Sequence, residues 1–306
     1  TVSPIAKEGT KCYLYFDEKA SAGDTILASD NAPTGQTTDW TGGTTYYYTG
    51  NPNNWVQFAG FYWRIIRING DGTIRIIYAG TNYNSIYDDT IGTSAFNNTY
   101  NNNMYVGYMY GSNSSNYNTT HANINSSTIK VLLDNWYSTY IENEQSNLHY
   151  GQYIDGNAGF CGDRRVSSGN GTGTRMTYYQ GYTRVIQNSN PSLNCEDTDI
   201  YTTTDSSTGN EALMYPIGLI SADEAMFAGI PNSNNDGNTN NYLYIAQYYW
   251  TMTPYCYDGS NASVFVVYSR GSLDYGIVFG TDGVRPVINL RANVALSGSG
   301  TTSDPF

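Results

Sequence analysis

The chain has 306 residues, 39% of them hydrophobic and 13% charged, with 31 tyrosines and 32 glycines. That is enough for one large domain, and the Tyr, Gly, Ser and Asn richness matches the composition of antibody-like binding surfaces. A net charge of -12 with scattered basic residues argues against a nucleic-acid partner or an anionic-membrane surface, because phosphate contacts need clustered Lys and Arg.

Residues 1–45 are polar and turn-rich around one apolar island, "CYLYF". They read as an N-terminal arm packed on a domain spanning 46–306. No signal peptide or membrane-spanning apolar run is visible. The abrupt start at Thr1 is expected of a processed or trimmed chain.

From Tyr46 the strings "TTYYYTG", "NWVQFAG", "FYWRIIRING" and "GTIRIIYAG" are dense in aromatic and β-branched residues and predict strands. "INGDGT" between Ile68 and Ile74 predicts a hairpin turn. Asn69, Asp71 and Thr73 have the spacing of calcium ligands, but the later acidic positions of a calcium loop are missing.

"NSSTIKVLLDNWYSTYIENE" predicts a helix capped by Ser126 or Ser127, with Ile129, Leu132, Leu133, Trp136 and Tyr140 on its core face. The two histidines, His121 and His149, lie in polar stretches and are expected at the surface. Cys161 and Cys195 flank a Gly/Ser/Thr-rich loop. A disulfide closing that loop is expected and suits an oxidising compartment, two free thiols being the alternative. The states of Cys12 and Cys256 stay open. "SADEAMFAG" predicts a second helix, with Ser221 and Glu224 as a capping box and Gly229 as its stop.

Runs of strands separated by two main helices and long loop insertions define an α+β chain with mainly antiparallel pairing. There is no CxxC, no Cys/His cluster and little histidine to build a nucleophilic site, so neither a metal nor a cofactor is expected and the chain does not read as an enzyme.

"GDTILA" (23–28), "FAGFYWRIIRINGDGTIRIIYAG" (58–80), "IGTSAFN" (91–97), "YVGYMYG" (105–111), "NEALMYPIGLISADEAMFAG" (210–229), "YWTMTP" (249–254) and "GVRPVINL" (283–290) together resemble bacterial surface proteins of gut Firmicutes with a C-type lectin fold. The C-terminal part resembles the variable proteins of diversity-generating retroelements. The resemblance implies a cell-surface or extracellular location and an anchor of prepilin type ahead of Thr1. It also implies a short C-terminal region rewritten by mutagenic reverse transcription at adenine positions.

That region is placed at about 255–282. Strand alternation predicts a core set of Phe265, Val267, Ser269, Gly271 and Leu273, continued by Val278. The expected ligand-binding face is Tyr255, Tyr257, Asp258, Val266, Tyr268, Arg270, Ser272, Asp274, Tyr275, Ile277, Phe279 and Asp282. Adenine replacement in AAC- or AAT-type codons never yields Lys, Glu, Gln, Met or Trp, and none of these occurs from Tyr255 to Asp282. Cys256 fits the same account as a substitution product.

In "GVRPVINL", Pro286 fixes φ and Arg285 is a directional donor. Arg285 is expected to be structural, buried against carboxylate or carbonyl partners, with a ligand clamp as its alternative.

The function expected is a hypervariable receptor or adhesin for a protein or glycan ligand on another cell, phage or host surface. One alternative is a structural pilus- or fibre-type subunit. Another is an enzyme, either like the formylglycine-generating enzymes or a glycosidase with carboxylates among Asp197, Asp199, Asp223 and Glu224. No EPN- or QPD-like tripeptide is present, which argues against a calcium-dependent sugar site.

Overall fold

The computed structural model describes residues 20–83, 89–143, 149–204 and 209–306. Cys12 and the "CYLYF" island fall outside them. The order opens with helix α1 (Ala22–Leu27) and strands β1 (Gly35–Thr38), β2 (Thr44–Tyr47), β3 (Trp55–Phe58), β4 (Phe61–Ile68), β5 (Ile74–Tyr78) and β6 (Thr93–Ser94). Next come β7 (Met109–Tyr110), α2 (Tyr117–Thr120), β8 (Asn125–Ser126), α3 (Thr128–Tyr140), β9 (Phe160–Cys161), β10 (Val166–Ser168), β11 (Thr177–Tyr179) and α4 (Gln180–Tyr182). It closes with β12 (Ile200–Tyr201), α5 (Ala222–Phe227), β13 (Tyr249–Tyr257), β14 (Ala262–Val267), β15 (Leu273–Ile277), β16 (Asp282–Gly283) and β17 (Val287–Leu290).

Two larger sheets carry the fold. The first runs β1-β2-β4-β5-β17, with β3 also paired to β4. The second runs β10-β11-β13-β14-β15, with β16 bridging β13 and β6. Pairing is antiparallel except between β13 and β16. Strand β1 and the start of β2, both within residues 1–45 of the expected N-terminal arm, thus belong to the first sheet.

The β4–β5 hairpin forms where the turn sequence places it. Within the turn, Asp71 Oδ1 accepts from the Thr73 N–H at 2.9 Å, and Asn69 Nδ2 donates to Thr73 Oγ1 at 2.7 Å. The three side chains that resembled calcium ligands therefore bond to one another.

Ser127 caps α3 by accepting from the Lys130 N–H. The buried face of α3 is Ile129, Lys130, Leu133 and Tyr137. Tyr140 is 52% exposed, so Tyr137 takes the core place expected of it. Tyr140 still edges onto Phe61. The helix at Ser221 forms with both capping-box bonds but is only six residues long, as is α1.

One continuous core joins the sheets through α3 and the strand-like segment 217–220, which hydrogen-bonds β17 through Gly218 and β13 through Ile220. Trp250 of β13 is fully buried, its indole N–H donating to the Ser94 carbonyl at 2.7 Å. A Cβ on Gly276 would lie 2.8 Å from that indole ring, so the glycine is imposed by packing.

The structure contains the Cys161–Cys195 disulfide. His121, expected at the surface, is buried: its Nε2 lies 2.8 Å from the Gly171 carbonyl and its ring packs on Tyr117 and Tyr179. Burial, with the Arg164 charge beside it, lowers its pKa to about 3, so the imidazole stays neutral. The polar sequence around it concealed this, because the rings that cover it come partly from β11. His149 is exposed.

Candidate functional site

The twelve residues expected on one face do not share one environment. Register pairs Ser263 with Ile277, Phe265 with Tyr275 and Val267 with Leu273, and in between Val264 with Gly276 and Val266 with Asp274. Opposed residues of an antiparallel pair share a face. The face of Val264, Val266 and Gly276 lies against Trp250. The face of Phe265 packs against Tyr255 and against α4, where a Cβ on Gly181 would touch both Thr253 and Phe265.

Strand β14 is therefore covered on both sides, and Val266 is 1% exposed. Tyr257 (1%) and Ser272 (0%) are buried as well. These three residues correct the expected face. Alternation separates core from surface only when one face of a strand is covered, and β14 is central in its sheet.

The remaining nine are partly or fully exposed. Among them, Tyr255, Tyr268 and Tyr275 are brought together. The Tyr255 and Tyr275 rings are 5.0 Å apart, and the Tyr268 hydroxyl donates to the Tyr275 carbonyl at 3.2 Å. The sequence reading missed three further tyrosines that extend this group. Tyr182 packs on Tyr255 at 5.1 Å, Tyr178 on Tyr182 at 4.4 Å, and Tyr248 on Tyr268 at 4.6 Å. Four rings thus form a row from β11 and α4 to β15, and the Tyr248–Tyr268 pair joins its end through the Tyr268 hydroxyl at the Tyr275 carbonyl. The signal for Tyr178 and Tyr182 was the aromatic string "TYYQGYT" at 177–183, but its place in the row depends on Tyr178 pairing with Cys256, a contact distant in sequence.

Arg270 closes one end of the row. Its guanidinium lies 5.6 Å from the Tyr268 ring centre and its Nε donates to Ser272 Oγ at 2.9 Å. Buried Ser272 also accepts the Tyr268 N–H through its carbonyl, so it fixes the turn that presents Tyr268 and Arg270. Burial, reinforced by the Asp274 charge, pushes the Tyr268 phenol up to about 12 and raises that of Tyr255 too. Both hydroxyls remain donors at neutral pH.

Asp274 Oδ1 accepts the Tyr275 N–H at 2.9 Å. With the Tyr275 carbonyl taken by Tyr268, the middle of edge strand β15 is occupied by its own side chains, which blocks pairing with a foreign strand.

The other expected residues sit apart from the row. Asp258 accepts the Ser260 and Asn261 N–H groups in the β13–β14 turn. Phe279, 47% exposed, packs on Tyr100 at 4.5 Å. Ile277 is half-buried and shares the β15 face of Tyr275. Asp282 lies on β16 opposite Ser94, where burial raises its carboxyl. Cys256 is a free, buried thiol whose pKa burial raises to about 12, which makes it a poor nucleophile.

Arg285 is 1% exposed. Its Nε and Nη2 donate to the Tyr78 carbonyl at 3.1 and 2.9 Å, and its Nη1 to the Leu243 carbonyl at 3.1 Å. It ties the entry of β17 to the end of β5 and to the segment preceding β13.

Three of the four carboxylates considered for glycosidase chemistry are held by arginines. Asp199 accepts from Arg164, Asp223 from Arg184, and Glu224 from Arg67 and Arg75. Asp197 is exposed. No group of three or more His, Cys, Asp or Glu placed to hold a metal ion occurs among the described residues.

Fold and site together define an α+β protein, mostly antiparallel, with a tyrosine-lined sheet face beside a disulfide-closed loop. Residues 196–292 match a family model described as "Domain of unknown function (DUF6273)"; the span contains α5, the β13–β15 strands and Arg285. No curated protein and no solved structure matches the chain.

Proposed function

We propose that the tyrosine row is the ligand-binding surface of an extracellular receptor or adhesin built on a C-type lectin-like scaffold and diversified by a retroelement. The observation that carries this reading is the run of four partly exposed rings in contact from Tyr178 to Tyr275, joined through the Tyr268 hydroxyl to the Tyr248–Tyr268 pair and ended by Arg270. Tyrosine gives large, rigid contact area at low entropic cost, and its hydroxyl adds hydrogen bonding. With the β15 edge occupied, recognition runs through side chains, the part of the surface that substitution can change without disturbing the sheet. The disulfide fits an oxidising compartment. The engagement of Asp199, Asp223 and Glu224 by arginines supports a binding role over hydrolysis. The ligand would be a protein or a glycan.

Screening against a glycan array and a displayed-protein library is expected to return a ligand. Replacing Tyr248, Tyr268 or Tyr275 by alanine should then weaken its binding by about tenfold or more each (~1.4 kcal/mol). Stability should stay within about 0.5 kcal/mol for the exposed rings. A ligand whose affinity ignores these replacements, or a large loss of stability, would remove the rings from the proposed role.

A further inference from the structure

A cavity on the first sheet lies away from the tyrosine row. It has a volume of about 350 Å³ and opens between β3, β4 and residues 239–245, lined among others by Trp55, Arg64, Tyr83, Asp89, Tyr242 and Arg285. This is the size range of small-ligand pockets.

Its chemistry is unlike that of the core arginines. Arg64, only 6% exposed, lies between two rings, 4.2 Å from the Trp55 centre and 5.2 Å from that of Tyr242. Its Nε donates to Asn54 Oδ1 at 2.5 Å and its Nη2 to the Pro52 carbonyl at 2.8 Å. These neutral acceptors orient the fork without neutralising it. Arg285 next to it is likewise held by carbonyls. Asp89 also lines the cavity, and its charge acts on Arg64. Among the described lining residues two guanidiniums, Arg64 and Arg285, face one carboxylate, Asp89. Burial first, then the Arg285 charge, draws the Arg64 pKa down to about 9, the penalty of a cation held in a partly dry site. Around this charge Trp55 and Tyr83 supply partly exposed ring surface.

We infer that this cavity binds a small cyclic carboxylate, its carboxylate against Arg64 and its ring against Trp55 and Tyr83. A planar fork beside aromatic walls suits a ligand that is anionic at one end and flat or ring-shaped at the other.

Isothermal titration tests this with 4-hydroxyphenylacetate and glucuronate, at up to about 10 mM so that a millimolar Kd is measurable. Their neutral counterparts, 4-hydroxyphenylethanol and glucose, serve as controls. At least one carboxylate should bind, and at least about tenfold tighter than its neutral counterpart. The preferred carboxylate identifies the source as aromatic or saccharide. Arg64→Gln should abolish binding. Tyr83→Ala, at an exposed ring, should weaken it severalfold with unfolding unchanged, and it decides the matter if Arg64→Gln does not fold. Tyr275→Ala should leave this binding intact, so the outcome is independent of the tyrosine row. Binding by neither carboxylate, equal binding of the neutral compounds, or a folded Arg64→Gln or Tyr83→Ala with unchanged affinity would overturn the inference.

Discussion

Replacing Glu224 by alanine is expected to destabilise the protein by about 3–5 kcal/mol, because it removes the counter-ion that two buried cations share. Arg67 and Arg75 are 1% exposed and directly opposed across β4 and β5, a placement that repels. Glu224 resolves it. Its Oε1 lies 2.8 Å from Arg67 Nε and 2.6 Å from Arg75 Nε. Its Oε2 accepts the Ser221 N–H at 2.8 Å and so completes the helix cap. Asp39, 3.7 Å from Arg67 Nη1, leaves Arg67 one buried counter-charge, while Arg75 has no second carboxylate partner among the described residues. Glu224→Gln keeps the cap and should lose less than alanine. Urea unfolding measures both, and a loss under about 1 kcal/mol for alanine would contradict this account.

The same cluster sets the acid limit. Burial opposes the charge of Glu224, but Arg75 and Arg67 outweigh it and hold the carboxyl below its usual 4.5. Asp39 and Asp163 are lowered in the same sense, burial being outweighed by hydrogen bonds and neighbouring arginines. A carboxyl with a depressed folded-state pKa contributes stability above its unfolded value and loses it as pH falls through the folded one. Stability should therefore hold at neutral pH and decline below about pH 4.5.

Converting both Cys161 and Cys195 to serine should cost about 4 kcal/mol, the chain entropy released when a loop of that length opens in the unfolded state. The bridge spans 34 residues. Within them lie β10, β11 and α4, so the disulfide constrains the segment that supplies Tyr178 and Tyr182 to the row. Reduction of the unmodified protein should shift its urea midpoint by a similar free energy, and a shift under about 1 kcal/mol would contradict the expectation.

What the sequence revealed was local. The Ile68–Ile74 turn, the Ser127 cap and the Ser221–Glu224 box each rest on residues within a few positions of one another. The antiparallel α+β class followed from the order of such elements. Contacts between distant segments were hidden. Arg67 reads as an ordinary strand charge until Glu224, 157 residues away, is placed beside it. Val266 reads as surface by alternation, and only the placement of β14 between β13 and β15, with Trp250 against that face, shows it covered; Tyr257 is covered on β13, between β11 and β14. Tyr178 and Tyr182 join the site for the same reason, since β11 pairs with β13. The three central tyrosines were legible because they lie within one hairpin and its edge strand. The half of the row from β11 and α4 was not.

If the tyrosine surface is diversified as proposed, partly exposed side chains of residues 255–282 vary while the frame beneath them does not. Sequencing this gene across isolates of its source tests it most directly. Substitutions are expected to concentrate at Tyr255, Asp258, Tyr268, Arg270, Asp274, Tyr275, Ile277, Phe279 and Asp282. Val266, Ser272, Gly276 and residues 283–290 should stay fixed, because each is buried or closely packed. Substitutions spread evenly along the chain, or falling on the buried positions as often as on the exposed ones, would contradict it and favour a structural subunit.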